Sequence, residues 1–295
     1  MDTAKDARPG NGTTLTAAQR VLAILDVFDD AHTMLTLSEI SRRSGLTLTT
    51  THRLVGELHA WGALSRDPRG RYSVGLRILE LGVLAPGGLQ LREVAQPFLN
   101  DLHHVTRANV HLAVREGHDV VYLESLRAPD GVPVLSRLGG RWPLHATGTG
   151  QVLLAYAGPD VREEVLSSPL KRFSRHTIVE PAQLRSVLSE VRWLGYAVAA
   201  SQLTEDAVAV AAPIRGPEDD VIAAVGVTVR CGTVSPQAMA PALMAASRGI
   251  SRALGAPSAN APRPEHAGPR TRRSGHDMAA RAVPRATGHL SRSSA

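Results

Sequence analysis

The stretch TLSEISRRSGLTLTTTHRLVGELHAWGALSRDPRGRY, from Thr36 to Tyr72, leaves few folds open, because nearly every boundary in it is chemically marked. Thr36-Leu37-Ser38-Glu39 is a capping box and starts a helix at Leu37. Leu37, Ile40 and Ser41 share its inner face, while Arg42 and Arg43 project outward. Gly45 suits the left-handed position that ends a helix in a tight turn. Thr47 is an N-cap for a second helix, Leu48 to Ala60, in which Thr51, Leu54, Val55 and Leu58 repeat at helical spacing and pack inward. Upstream, Thr16-Ala17-Ala18-Gln19 is another capping box. It opens a helix whose Val21, Leu22, Leu25 and Phe28 are expected to close a small core.

Two short strands follow, Ala63-Leu64-Ser65 and Tyr72-Ser73-Val74, around the turn Asp67-Pro68-Arg69-Gly70. Three helices with a basic hairpin behind the last form a winged helix–turn–helix, which sets one helix in the DNA major groove and a ribbon beside it. From Arg42 to Arg77 the charged residues are seven Arg against Glu57 and Asp67, a net +5. The expected DNA-facing residues are Arg42, Arg43, Thr47, Leu48, Thr49, Thr50, His52 and Arg53, with Arg69 and Arg71 on the wing. The competing reading is an arginine-decorated helical unit that meets another protein, in a small-molecule sensor that binds no operator.

Charge is unevenly spread. Residues 256–295 hold seven Arg against Glu265 and Asp277, or +5 of the chain's +6, so the remainder is near neutral at +1. That segment is rich in Pro, Ser, Gly and Arg, has almost no large apolar residues, and is expected to be disordered from residue 257 onward, as are residues 1–14. Attraction to DNA phosphate is one reading of its charge, and a dispensable extension is the other. No stretch approaches the roughly 20 apolar residues of a membrane span, and the polar N-terminus lacks a signal-peptide core. Cys231 is the single cysteine, so the expectation is a cytoplasmic protein without disulfides or membrane partner.

After the wing, Leu76, Ile78, Leu79, Leu81 and Leu84 predict a linker helix broken at Pro86-Gly87-Gly88. A second helix, Leu91 to Val105, carries Pro97 inside it. Strands are expected at Asn109–Val114, Asp119–Leu123 and Val132–Leu138. Helices follow at Thr147–Tyr156, Asp160–Leu166 and Pro181–Leu194, then strands at Tyr196–Ala200, Ala207–Ile214 and Val221–Val229, and a closing helix at Pro236–Leu254. The order predicts an α+β domain with a largely antiparallel sheet.

AQRVLAILDVF, LSEISRRSGL, THRL and RYSVGLRILELG, followed by GGRWPLHATGTGQVLLA, RWLGYAVA, VAAPI and IAAVGV, make residues 16–256 resemble the IclR family of bacterial transcription regulators. The resemblance implies a winged helix–turn–helix domain (15–77), linker and dimerisation helices (78–106) and a GAF-like effector-binding domain (107–256). It also implies dimers or tetramers whose grip on double-stranded operator DNA a small molecule changes. It assigns the effector site to Gly148, Thr149, Ala199, Ala209, Gly226 and Thr228. The first two lie at a helix start, where free amides favour an anion. At the others, members that sense small carboxylates carry Asp, Cys and two Ser, so the expected effector here is an aromatic or other bulky organic acid. Ser201-Gln202 replaces the family's acidic pair, and Thr47-Leu48 its Pro and basic residue at the recognition-helix start. Leu48 suits a thymine methyl rather than a phosphate.

His103, His104, His111, His118 and His145 fall in one region, but none shows metal-ligand spacing, and His111 is expected to face a sheet surface. No nucleophile elbow or dinucleotide fingerprint is present, so the sequence predicts no metal site, no cofactor and no catalysis.

Overall fold

The computed structural model describes residues 15–260 apart from Asp30 and residues 85–87. The expected N-terminal disorder, the break at Pro86-Gly87 and the tail from residue 261 lie outside the described residues. Among the described residues no helix is long and apolar enough to cross a membrane.

The N-terminal unit packs α1 (Ala17–Leu25), α2 (Leu37–Ser44) and α3 (Leu48–Trp61) against the hairpin β1 (Leu64–Arg66) and β2 (Tyr72–Val74). Both capping boxes form: the Thr16 and Thr36 hydroxyls accept from the amides three residues on, and Gln19 and Glu39 reach back. Gly45 is left-handed (φ 72°) and makes the turn, and Thr47 caps α3. The core is Ile24, Val27, Leu35, Ile40, Thr51, Leu54, Val55, Leu58, Leu64 and Tyr72. Leu22 does not join it and is 59% exposed. Because α1 ends at Leu25, Ile24 and the post-helical Val27 fill the space instead.

α4 (Leu76–Gly82) begins directly behind the wing and buries none of its residues. Gly75 fixes this junction. Its amide donates to Ala63 O, and a Cβ there would meet Gly62 O at 2.1 Å, so only glycine fits between the end of α3 and the start of α4. Arg77 also lies over the Trp61 ring.

The C-terminal domain is a six-stranded antiparallel sheet ordered β5-β4-β3-β8-β7-β6. Its strands are β3 (Asn109–Glu116), β4 (Asp119–Leu126), β5 (Arg141–Pro143), β6 (Ala197–Ala200), β7 (Ala207–Arg215) and β8 (Val221–Arg230). One face carries Val110, Leu112, Val208, Val210, Ile214, Val225 and Val227 under α5 (Gly88–Thr106) and α9 (Pro236–Ala253). The opposite face, which carries smaller residues on β7 and β8, lies under α6 (Gly148–Tyr156), with α7 (Pro159–Ser167) and α8 (Pro181–Leu194) outside it. Period-two alternation thus sorts side chains by size.

Two expectations are corrected. Val132–Leu138 is not a strand. Asn109 captures it: its Nδ2 donates to Val132 O and its Oδ1 accepts from Ala128 N, so the segment is tied by a side chain rather than by a ladder. The edge strand is β5, which pairs with β4. The domain also passes the expected limit at Ala256. Pro257–Asn260 form a 3-10 turn in which Ser258 bonds the Asp219 carboxylate and Ala259 is buried.

Candidate functional site

The basic unit presents α3 with Thr51, Leu54, Val55 and Leu58 inward, which turns Thr49, His52 and Arg53 to solvent and leaves Leu48 52% exposed. The Thr47 hydroxyl accepts from Thr50 N and donates to Thr50 Oγ1, so it is committed to capping, and Thr50 is half-buried beside it. Three of the expected cations already have anionic partners. Arg53 pairs with Glu57 one turn on, Arg43 with Asp29 at 3.7 Å, and Arg71 with Asp67 at 2.9 Å. The Arg71 amide and guanidinium hold the Asp67 carboxyl below its ordinary range and brace the wing tip. Among the described residues Arg42 and Arg69 carry no ion pair, and both are exposed. Arg66, which was not among the expected DNA-facing residues, lies over the Tyr72 ring beside the turn of the wing.

The second site is a cavity between the N-terminus of α6 and the small-residue face of the sheet. All six residues expected at an effector site, Gly148, Thr149, Ala199, Ala209, Gly226 and Thr228, line it. Strand register brings them together. Ala209 pairs with Ala199 on one side and Thr228 on the other, while Gly226 lies between Ala211 and His111. Closeness of helix and sheet requires small residues: a Cβ on Gly148 would touch Ala209 Cβ at 3.4 Å, and one on Gly150 would strike Leu144 O at 2.3 Å. The cavity offers about 50 Å³, against the roughly 10–15 Å³ that one water needs.

Its polarity is divided. At the start of α6, Gly150 N donates to the Thr147 hydroxyl and Gln151 N to Thr147 O, whereas the Gly148 and Thr149 amides have no acceptor among the described residues. Two free N–H groups at the positive end of a helix form a receptor for one carboxylate. Alanines 199, 207, 209 and 211 wall the space beside them with Leu203. Polar groups that the sequence did not reveal return on the far side: His111, Tyr122 and Ser136. His111, expected on a sheet face, stands on the face that borders the cavity and is buried there. Burial, with the nearby Arg127 charge, holds its pKa at about 4. Burial likewise raises the Tyr122 phenol, whose oxygen lies 3.4 Å from Thr149 Oγ1. Gln202 closes one end and accepts from Gln151 Nε2 at 2.7 Å.

Elsewhere, His145 is buried with its pKa lowered by burial, and its Nε2 lies 2.9 Å from Lys171 O, a structural role. Cys231 is exposed just beyond β8. Among the described residues no three His, Cys, Asp or Glu side chains converge as a metal site would require.

Residues 17–68 match the IclR helix-turn-helix domain, and residues 85–252 match the bacterial transcriptional regulator IclR C-terminal domain. The chain is 31% identical to the HTH-type transcriptional regulator XynR of Escherichia coli K12, over 82% of this chain and 98% of that one. It is likewise 31% identical to the glycerol operon regulatory protein of Streptomyces coelicolor, over 81% and 96%. Among solved structures, an IclR homologue of Microbacterium hydrocarbonoxydans in complex with 4-hydroxybenzoate is 37% identical. It superposes with a TM-score of 0.76 over 80% of this chain and 97% of that one.

Proposed function

The chain belongs to the IclR family of ligand-responsive, DNA-binding transcriptional regulators, and from that premise we propose that it grips operator DNA as a dimer or a pair of dimers and answers to an aromatic monocarboxylate. The observation that carries the effector class is the division of the cavity: two unpaired amides at one pole and a wall of alanines beside them. A carboxylate satisfies the amides. An apolar ring fills the space that larger polar side chains would otherwise take. The relative that binds 4-hydroxybenzoate supports the same class.

In the DNA complex Thr49, His52 and Arg53 face base edges and Leu48 a thymine methyl, while Arg42, Arg43, Arg69 and Arg71 meet phosphate. The exposed Leu76, Leu79, Leu81 and Leu84 of the α4 segment support self-association close to the DNA-binding units. Gly75 and Arg77 tie that segment to the end of α3, so a change in how two copies meet alters the spacing of two recognition helices. A ligand drives this change only by binding the two arrangements unequally. Regulation of operator DNA places the protein in the cytoplasm.

The test is fluorescence anisotropy on DNA from upstream of the chain's own coding region, with and without 4-hydroxybenzoate. The expected result is saturable binding, abolished by competing specific DNA and shifted by the ligand. Absence of binding to any upstream fragment would leave a sensor without an operator, and absence of a ligand effect would overturn the aromatic-acid reading.

A further inference from the structure

We propose that His111 is a specificity residue that reads a hydrogen-bond donor, a hydroxyl or amino group, on the ring of the effector away from its carboxylate. The proposal rests on the aromatic-carboxylate reading above and deepens it.

Position comes first. His111 pairs with Gly226 on the neighbouring strand, and Gly226 lies so close under Thr149 that an added Cβ would come to 3.0 Å from its Cγ2. His111 is therefore one strand spacing, roughly 5 Å, from the point beneath the amide pole. Tyr122 lines the interval: its phenol lies 3.4 Å from Thr149 Oγ1 and its ring meets His111 edge-on at 5.5 Å. A single aromatic ring bridges such a gap, with its carboxylate at Gly148 and Thr149 and its opposite edge at His111.

Chemistry then fixes what His111 can offer. The ring is 4% exposed and stays neutral at physiological pH, so it has one N–H and one lone pair. Ser125 Oγ donates its proton to Ser136 O at 3.3 Å. It then meets His111 Nδ1, also at 3.3 Å, as an acceptor, which places the imidazole proton on Nδ1. Nε2 keeps its lone pair and accepts from the Ser136 hydroxyl 3.2 Å away, whose oxygen also lies 3.4 Å from Nδ1. A donor on the ligand either takes Nε2 in place of Ser136 or meets the lone pair of Ser136 Oγ, so the buried pair favours a ligand that donates. A second carboxylate on the ligand would set its lone pairs against that of Nε2.

The experiment is isothermal titration of the full-length protein with benzoate, 3-hydroxybenzoate, 4-hydroxybenzoate, 4-aminobenzoate, 4-fluorobenzoate and terephthalate. At least one hydroxy- or aminobenzoate should bind about tenfold or more tightly than benzoate. Fluorobenzoate should show no such gain, and terephthalate should be excluded. In His111→Phe the ratio of hydroxybenzoate to benzoate affinity should collapse toward one, whereas His111→Gln, which retains an acceptor, should keep part of it. If His111→Phe does not fold, as judged by its melting transition, Ser125→Ala serves instead, because it releases the tautomer and should lower the same ratio. Benzoate binding with no advantage for donors, or an advantage that survives these variants, overturns the role of His111 alone. Failure of every aromatic acid to bind overturns both this inference and the effector class on which it rests.

Discussion

Gly226 lies under Thr149, whose methyl carbon comes within 3.0 Å of where a Cβ on Gly226 would stand. Gly226→Ala places a methyl 3.0 Å from Thr149 Cγ2 and forces the start of α6 to shift by a few tenths of an ångström. Effector affinity is expected to fall about tenfold or more, since the amides must stay aimed at the carboxylate, with a stability cost of about 1–3 kcal/mol for overpacking. Titration of 4-hydroxybenzoate together with thermal melting checks both. Unchanged affinity would remove the α6 amides from the site.

Ala209→Leu fills the cavity from its floor, where Ala209 sits between Ala199 and Thr228 and 3.4 Å from a Cβ built on Gly148. It should abolish the ligand's effect while leaving operator affinity without ligand close to that of the parent, because Ala209 belongs to the six-stranded sheet and not to the winged unit. A variant that still responds to the ligand would place the effector elsewhere.

Arg53 and Glu57 form an exposed pair, about 60% accessible on each side, so the pair adds at most about 1 kcal/mol to stability. Arg53→Ala should leave the melting temperature nearly unchanged and weaken operator binding by about 1–3 kcal/mol if Arg53 reads a base. If it meets phosphate, the loss should be similar on all sequences, with a shallower salt dependence. Glu57→Gln should act in the opposite direction by removing a competing carboxylate. Anisotropy titrations at several salt concentrations separate these cases, and equal affinities for parent and Arg53→Ala would take the residue out of the interface.

Buried, neutral His111 makes stability depend on pH. Its pKa in the folded protein is about 4, against an ordinary 6.5, first through burial and then through Arg127. The unfolded chain takes up the proton more readily, so this contribution is fully present above the ordinary value and is lost as pH falls toward 4. The loss should reach about 2–3 kcal/mol by about pH 4.5. His145 shifts in the same direction through burial, so the parent alone cannot isolate the effect. His111→Phe should melt with a flatter acid limb than the parent between about pH 7 and 4.5. Parallel curves would mean that His111 is solvated in the folded state.

The winged unit could be read in advance because its boundaries are fixed by neighbours in sequence: Thr36 with Glu39, Gly45 at the turn, and Thr47 before α3. Leu22 misled because its stripe was extended through a helix that stops at Leu25. The cavity residues came from resemblance, and register then gathered them on two rows of the sheet. His111, Tyr122 and Ser136 were out of reach. Their meeting depends on pairing between β3 and β4 and on Asn109 pinning a segment 23 residues away, neither of which leaves a local pattern.

Strand β7 carries Val208, Val210 and Ile214 toward one helical layer and Ala207, Ala209 and Ala211 toward the cavity. Successive residues of one strand therefore answer to different selective demands. If the cavity takes the effector as proposed, substitutions in the alanine row would change what the protein senses while the valine row goes on holding the sheet to α5 and α9. A lineage built on this strand could acquire a new effector by changing alternate codons, while its fold and its operator remain inherited.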